Sequence, residues 1–307
     1  MPIMKNMKNI PLLALAALIV SCGSNEPTEQ TSQIFFDDFS YQDMAGFNQN
    51  GWQARTGKGH PGDKRAHWDE KGISFHPAEA PENSFVRLSA TIKGDIDNTA
   101  QAQICYQRKF REGTYAARVL FSDEPAQGPD GDQIIETFYT ISPLESPMDP
   151  DYSELDFEYL ANGGWKHDRA LWVTSWETFQ HDPWTMKNQH GLKEESYAGW
   201  RTLVIQAMNN EVKYFVDGKE FFTHDEEVYP EAPMSINFNL WFVKNGLIDS
   251  DETRIYQQDV DWVFFEKNVA LTTEEISGKV AQMRTNKQVY SDTVPAWQPP
   301  LESPCSL

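Results

Sequence analysis

The chain predicts an all-β fold, an antiparallel sandwich of the jelly-roll kind, with a short helical appendage near the C-terminus. From Ile34 onward, apolar residues come in short, often alternating runs broken by Gly, Pro, Asn and Asp. Many short strands at that spacing indicate a sandwich or jelly roll. Asp217-Gly218 separates two strand-like runs, residues 212–216 and 220–222, and both turn residues tolerate the positive φ of a tight hairpin. Strand–helix alternation of the doubly wound type is missing from the pattern.

The elements follow in order. Ile34-Phe35-Phe36 opens the series and Asp37-Asp38 ends that run. Residues 85–92 alternate well before Lys93-Gly94, and residues 103–110 and 115–121 flank the turn Arg111-Glu112-Gly113. Residues 235–242 alternate polar and apolar, and residues 259–265 close the set. Thr272 and Glu275 then form a capping box. Ile276, Val280 and Met283 fall on one stripe of a short amphipathic helix, the only stretch that reads helical. The remainder, with Pro295, Pro299, Pro300 and Pro304, reads as extended chain lying over the sandwich. The expected organisation is a leader at 1–21, a tether at 22–33, one β domain at 34–267 and a helix with an extended tail at 268–307.

Lys5 and Lys8 precede an apolar stretch, Leu12 to Val20, that is too short to span a bilayer, the layout of a signal peptide. Ser21 before Cys22 resembles a bacterial lipoprotein cleavage site, which makes Cys22 the expected lipidated residue; a plain secretory leader is the alternative. The polar residues 23–32 suit a flexible tether. The expected location is extracytoplasmic, anchored by lipid in a bacterial outer membrane, since Gly23 and not aspartate follows the cysteine. A net charge of −20 repels phosphate backbones, so nucleic acid is an unsuitable partner, whereas a neutral polysaccharide is indifferent to it. Cys105 and Cys305 remain; outside the cytoplasm they can bridge the tail to a strand or stay free. With 10 Trp, 11 Tyr and 18 Phe, the chain can bury one large core, and a monomer is expected.

The candidate chemistry lies in Glu154-Leu155-Asp156-Phe157-Glu158. On a strand, Glu154, Asp156 and Glu158 share one face while Leu155 and Phe157 take the other. Crowding like charges on one face is unfavourable, so stability alone rarely assembles them. Glu154 and Glu158 would have Cα atoms roughly 13 Å apart. If both side chains lean inward, their carboxyls approach the ~5 Å separation of retaining glycosidases. The plainer reading is an acidic strand facing solvent. No H-E-x-x-H, C-x-x-C, G-x-S-x-G or phosphate-cradling glycine loop is present, so no catalytic metal or cofactor is called for. Downstream, Trp172, Thr174 and Trp176 share a strand face, and tryptophans beside carboxylates suit sugar rings, although single tryptophans are more often core.

Together these residues resemble glycoside hydrolase family 16, the laminarinase, lichenase, agarase and xyloglucan-transferase superfamily. Residues 154–158 are similar to its E-x-D-x-E signature, and residues 113–119 resemble its G-x-Y-x-A-R strand. Trp200 to Leu203 with Tyr214 to Gly218 resemble its W-x-x-L and F-x-V-D-G hairpin. Asn239-Leu240-Trp241 resembles its N-L-W strand, and Val260-Asp261-Trp262-Val263 its D-W-V strand. The resemblance covers about residues 34–266 in order. It departs at residues 136–142, where a tryptophan-rich segment is replaced, and the loop Asn162-Gly163-Gly164-Trp165 is not a general family feature.

The resemblance implies a jelly roll with the signature on the concave face of one curved sheet. It further implies a retaining endo-glycosidase acting on a glucan- or galactan-type β-linked polysaccharide. Glu154 matches the nucleophile, Glu158 the general acid/base, and Asp156 the residue that sets their protonation. Asn239 and Trp241 match positions beside the scissile bond, and Trp172 and Trp176 are expected in the cleft. The single residue between Asp156 and Glu158 resembles the regular-strand lichenase and xyloglucan branch rather than the bulged one. A non-catalytic glycan-binding lipoprotein and a transglycosylase are the alternatives on this fold. Structural calcium is compatible with it, with Asp261 the conceivable ligand, although a lone carboxylate beside a strand is more often a capping or ladder residue.

Overall fold

Strict alternation sorts each strand's side chains onto two faces, and the 18 strands among the described residues build two stacked sheets, antiparallel apart from one short parallel pairing. The computed structural model describes residue 1, residues 32–76 and 84–301, and residue 305. The leader, Cys22 and the tether, apart from Ser32 and Gln33, lie outside the described residues. In chain order the strands are β1 (Ile34–Asp37), β2 (Gln53–Ala54), β3 (Gly57–Lys58), β4 (His67–Trp68), β5 (Ile73–His76), β6 (Phe85–Lys93) and β7 (Thr99–Cys105). They continue with β8 (Gly113–Phe121), β9 (Ile134–Ile141), β10 (Glu154–Leu160), β11 (Ala170–His181), β12 (Trp184–Lys193), β13 (Gly199–Met208) and β14 (Glu211–Val216). Last come β15 (Lys219–His224), β16 (Ser235–Phe242), β17 (Thr253–Lys267) and β18 (Tyr290–Asp292).

One sheet runs β2-β7-β16-β9-β10-β11-β12. The other runs β6-β17-β8-β13-β14-β15, with β5 beside β6, and β1 and β18 continuing the β17 edge. Between them lies the main core, to which β10 gives Leu155, Phe157 and Tyr159, all fully buried. Phe157 meets Tyr214 of the opposite sheet edge-on at 5.3 Å, a contact that ties the signature strand to the layer behind it.

The second sheet also buries its outer face. A register shift between Val260 and Trp262 makes Asp261 a bulged residue. Past it, Trp262 and Phe264 point outward while Val263 and Phe265 enter the core. Helix Thr273–Thr285 covers that outward patch with Ile276 and Val280. Its start carries the expected capping box, with Thr272 and Glu275 reciprocally bonded. Arg284, in its last turn, donates to Asp261 at 2.6 Å, and Arg118 lies 3.2 Å from the same carboxylate. Asp261 therefore anchors the helix with both oxygens facing cations, an unsuitable setting for a calcium ligand. Among the described residues, no group of three or more His, Cys, Asp or Glu could hold a metal ion.

The tail is built into the fold more closely than an appendage. Its β18 pairs with β1, and Cys305 is disulfide-bonded to Cys105 with Cα atoms 5.5 Å apart. The Asp217-Gly218 hairpin is present, with φ of 50° and 78°. A short helix, Met44–Gln49, was not foreseen; six residues carry no readable periodicity. Asp43 caps it and Phe47 stacks on Trp52. Strand β12 has no alternating signal in the sequence, because it is mostly exposed.

Arg254 and Asp132 form a fully buried ion pair, N–O 2.5 Å, with both side chains at 0% exposure. Arg254→Ala should lower unfolding free energy in urea by about 3–5 kcal/mol by stranding the Asp132 charge. An Asp132→Leu/Arg254→Met double substitution should cost much less.

Candidate active site

Strand β10 is central in its sheet, held by β9 on one side and β11 on the other in unbroken register from Glu154 to Leu160. No bulge interrupts the signature, so its three carboxyls stay on one face. Glu154 lies between Ile141 and Trp176, Asp156 between Tyr139 and Thr174, and Glu158 between Thr137 and Trp172. The face is a cavity of about 600 Å³. Glu154, Asp156, Glu158, Trp176, Asn239 and Trp241 all line it, which brings together six residues singled out from sequence.

The three carboxyls have different surroundings. Burial raises Glu154 to about 7, opposed by hydrogen bonds from the Tyr152 hydroxyl and from Asp156. Burial pushes Asp156 well above the usual carboxylate range, aided by the charges of Glu154 and Glu158. The Trp176 indole N–H donates to Asp156 Oδ2 at 3.0 Å, whereas no N–H or hydroxyl among the described residues reaches the buried Oδ1. Two neighbouring carboxyls can hydrogen-bond only if one of them keeps its proton, and the shifts make Asp156 the one that favours the protonated form beside Glu154. Glu158 is pushed up to about 8 by burial and then by the charge of Glu154. No hydrogen bond from the described residues acts in the other direction.

Beside the carboxyls, Asn239 is held rather than free. Its Oδ1 accepts from Thr137 Oγ1 at 2.7 Å and its Nδ2 donates to the Tyr139 hydroxyl at 3.2 Å. Gln103 Nε2 donates to the same hydroxyl at 3.0 Å, and Arg55 Nη1 donates to Gln103 Oε1 at 3.0 Å. This polar row crosses β7, β9 and β16 along the cleft floor, fixing the amide's orientation.

Trp172 departs from expectation. It sits across from Glu158, but it is not among the residues lining the cavity. Its ring packs on His190 and meets Trp165 edge-on, so neighbouring side chains cover it. Trp165 in turn leans toward Trp241 at 6.2 Å, at the cleft margin. Sequence reasoning missed Tyr152, Tyr139, Phe179 and Trp184, all of which line the cavity. Parity could have found Tyr152, two residues before Glu154 on the same face. Tyr139 lies in the stretch recognised only as altered. Phe179 and Trp184 belong to the far end of the β11–β12 hairpin and had no local signal.

Raised carboxyl pKa values mean that the folded state binds protons the unfolded chain has lost. Stability from this source is present below the unfolded carboxyl pKa of about 4.5 and is lost as pH rises toward 7–8. Glu158→Gln should therefore be more stable than the parent at pH 8 by about 1–2 kcal/mol. The difference should vanish near pH 4, as read by thermal unfolding across pH.

Comparison with known proteins follows this geometry. No curated protein sequence matches the chain. Among solved structures, a Bacillus licheniformis β-glucanase superposes with a TM-score of 0.55 at 17% identity, covering 77% of this chain and 99% of that one. A Bacteroides ovatus mixed-linkage glucan GH16 protein, in complex with a product, gives 0.57 at 17% identity over 75% and 98%. The laminarinase catalytic domain of Thermotoga maritima gives 0.57 at 13% identity over 78% and 98%. At such identities these likenesses show a common jelly-roll fold. The profile of the family described as glycosyl hydrolases family 16 matches residues 82–264, more than half of the 307-residue chain. The protein thus belongs to glycosyl hydrolases family 16 and is a glycoside hydrolase.

Proposed function

We propose that the protein is a retaining endo-hydrolase of a β-linked, glucan-type polysaccharide, with Glu154 as nucleophile and Glu158 as general acid/base. The carrying observation is the unequal support of the two glutamates. Glu154 receives hydrogen bonds from Tyr152 and Asp156, which favour its ionised form, while Glu158 has only influences that keep its proton. Glu154 is then the carboxylate that attacks the anomeric carbon. Glu158 gives its proton to the departing glycosidic oxygen, and in the second step takes one from water. Asp156, protonated toward Glu154, keeps that oxygen's charge localised until attack. Aromatic rings on the cleft walls, Trp176 and Trp241 among them, offer flat apolar surfaces to sugar rings. The glucanase and laminarinase neighbours support the glucan assignment.

We also propose an extracytoplasmic enzyme attached through lipidated Cys22. The leader pattern supports this, and the Cys105–Cys305 disulfide suits an oxidising compartment.

Glu154→Ala and Glu158→Ala should each lower turnover of mixed-linkage or β-1,3-glucan by at least about 10³-fold, and proton NMR should show the β-anomer as first product. Variants as active as the parent, or an initial α-anomer, would contradict the assignment. Tyr152→Phe removes a hydrogen bond that lowers the Glu154 pKa. Its acid limb of kcat/KM should move to higher pH by about half to one unit. Cys22→Ala should transfer the protein from membrane to soluble fractions.

A further inference from the structure

Two histidines from opposite sides of the carboxylate strand meet across the cleft. His60 and His181 stack with ring centroids 5.6 Å apart and planes 25° apart. Both line the same cavity as Glu154, Asp156 and Glu158.

His60 lies in the loop joining β3 to β4, and that loop is seated on the β7 and β16 side. The Trp68 indole donates to Gly59 O at 3.0 Å, and β4 pairs with β7. At Gly62, φ is +81° and an added Cβ would stand 2.4 Å from Phe242 O and 3.1 Å from the Trp241 ring. Only glycine allows so close a seat on the end of β16. His181 ends β11, past a register shift between Trp176 and Thr178 that bends the strand. There it packs edge-on against Phe179 at 5.2 Å and lies 6.3 Å from Trp184. Each histidine is therefore backed by its own wall.

In the sheet order, β9 and β10 lie between β16 and β11. The two walls start about 14 Å apart, three strand spacings, yet the rings touch. His181 lies five residues past Trp176, the partner of Glu154, so the contact crosses the cleft beyond the Glu154 end of β10, and the cleft is spanned at that end rather than open. A glycan that extends along the cavity past the Glu154 end runs between the sheet floor and this pair. The ring of an unsubstituted backbone residue fits such a space edgewise, whereas a branch directed away from the floor runs into the imidazoles.

We propose that His60 and His181 form a clasp that restricts the enzyme to β-glycan backbones without branches at the sugar held beneath it. The proposal rests on the reading of the carboxylate cleft as a glycan hydrolase site, and extends it to the class of glycan accepted. Both histidines are exposed on their outer sides, so substitution leaves the core intact.

The test compares two substrate pairs: unbranched β-1,3-glucan against the same backbone with β-1,6-glucosyl branches, and an unsubstituted β-galactan against its 6-O-sulfated form. The parent should favour the plain member of the responsive pair by about tenfold or more in kcat/KM. The His60→Ala/His181→Ala double variant should bring that ratio to within about threefold, chiefly through a lower KM for the substituted glycan. A His60→Phe/His181→Phe variant, which restores flat rings, should keep the parent's ratio. Equal cleavage of both members by the parent, or an unchanged ratio in the alanine variant with parental melting temperature, would overturn the clasp alone. No cleavage of any of the four glycans or of mixed-linkage glucan would overturn the reading of the carboxylate cleft as a β-glycan hydrolase site, and the clasp with it.

Discussion

Three carboxyl groups on alternate residues of one central strand cannot all be ionised in a partly dry cleft. That constraint organises the molecule. Leu155, Phe157 and Tyr159 are fully buried between the sheets, so β10 cannot rotate to release Glu154, Asp156 and Glu158 toward bulk water. A slip of one residue would put charges into the core and aromatic rings into the cleft. The repulsion must instead be relieved by retained protons, and the hydrogen-bond donors nearby decide where those protons reside.

The surrounding structure serves that distribution. Tyr152 and Trp176 supply donors to Glu154 and Asp156, and no comparable donor among the described residues reaches Glu158. The polar row from Arg55 to Thr137 holds Asn239 in one orientation. Behind the core, the second sheet is closed by its own apolar cluster and by the C-terminal helix. On that side Arg284 and Arg118 balance the charge of Asp261. Asp156, which lines the cleft, keeps one buried oxygen with no hydrogen-bond partner among the described residues.

Much of this was legible before any coordinates. The signature strand, its regular register, the hairpin at Asp217-Gly218 and the capping box at Thr272 are all local patterns, and each occurs where its residues indicate. Trp172 shows the limit of such patterns. Parity placed it correctly on the cleft face of β11, opposite Glu158. Parity does not reveal that Trp165 and His190 arrive from other segments to cover it. Asp261 is a similar case, because its partners Arg118 and Arg284 come from a distant strand and from the helix. The helix at Met44–Gln49, with its Asp43 cap, is too short to show a period in the sequence.

The sequence by itself determined the all-β class, the placing of three carboxyls on one strand face, and the family resemblance. Those properties follow from nearest-neighbour periodicity and short motifs, which folding preserves. Tertiary structure alone decided which carboxyl receives hydrogen bonds, which tryptophan reaches the cavity, and that two histidines 121 positions apart in the chain meet across it. Such features depend on approach between segments distant in sequence. That approach is governed by sheet order, strand bending and loop seating, none of which is written in the residues of any one segment.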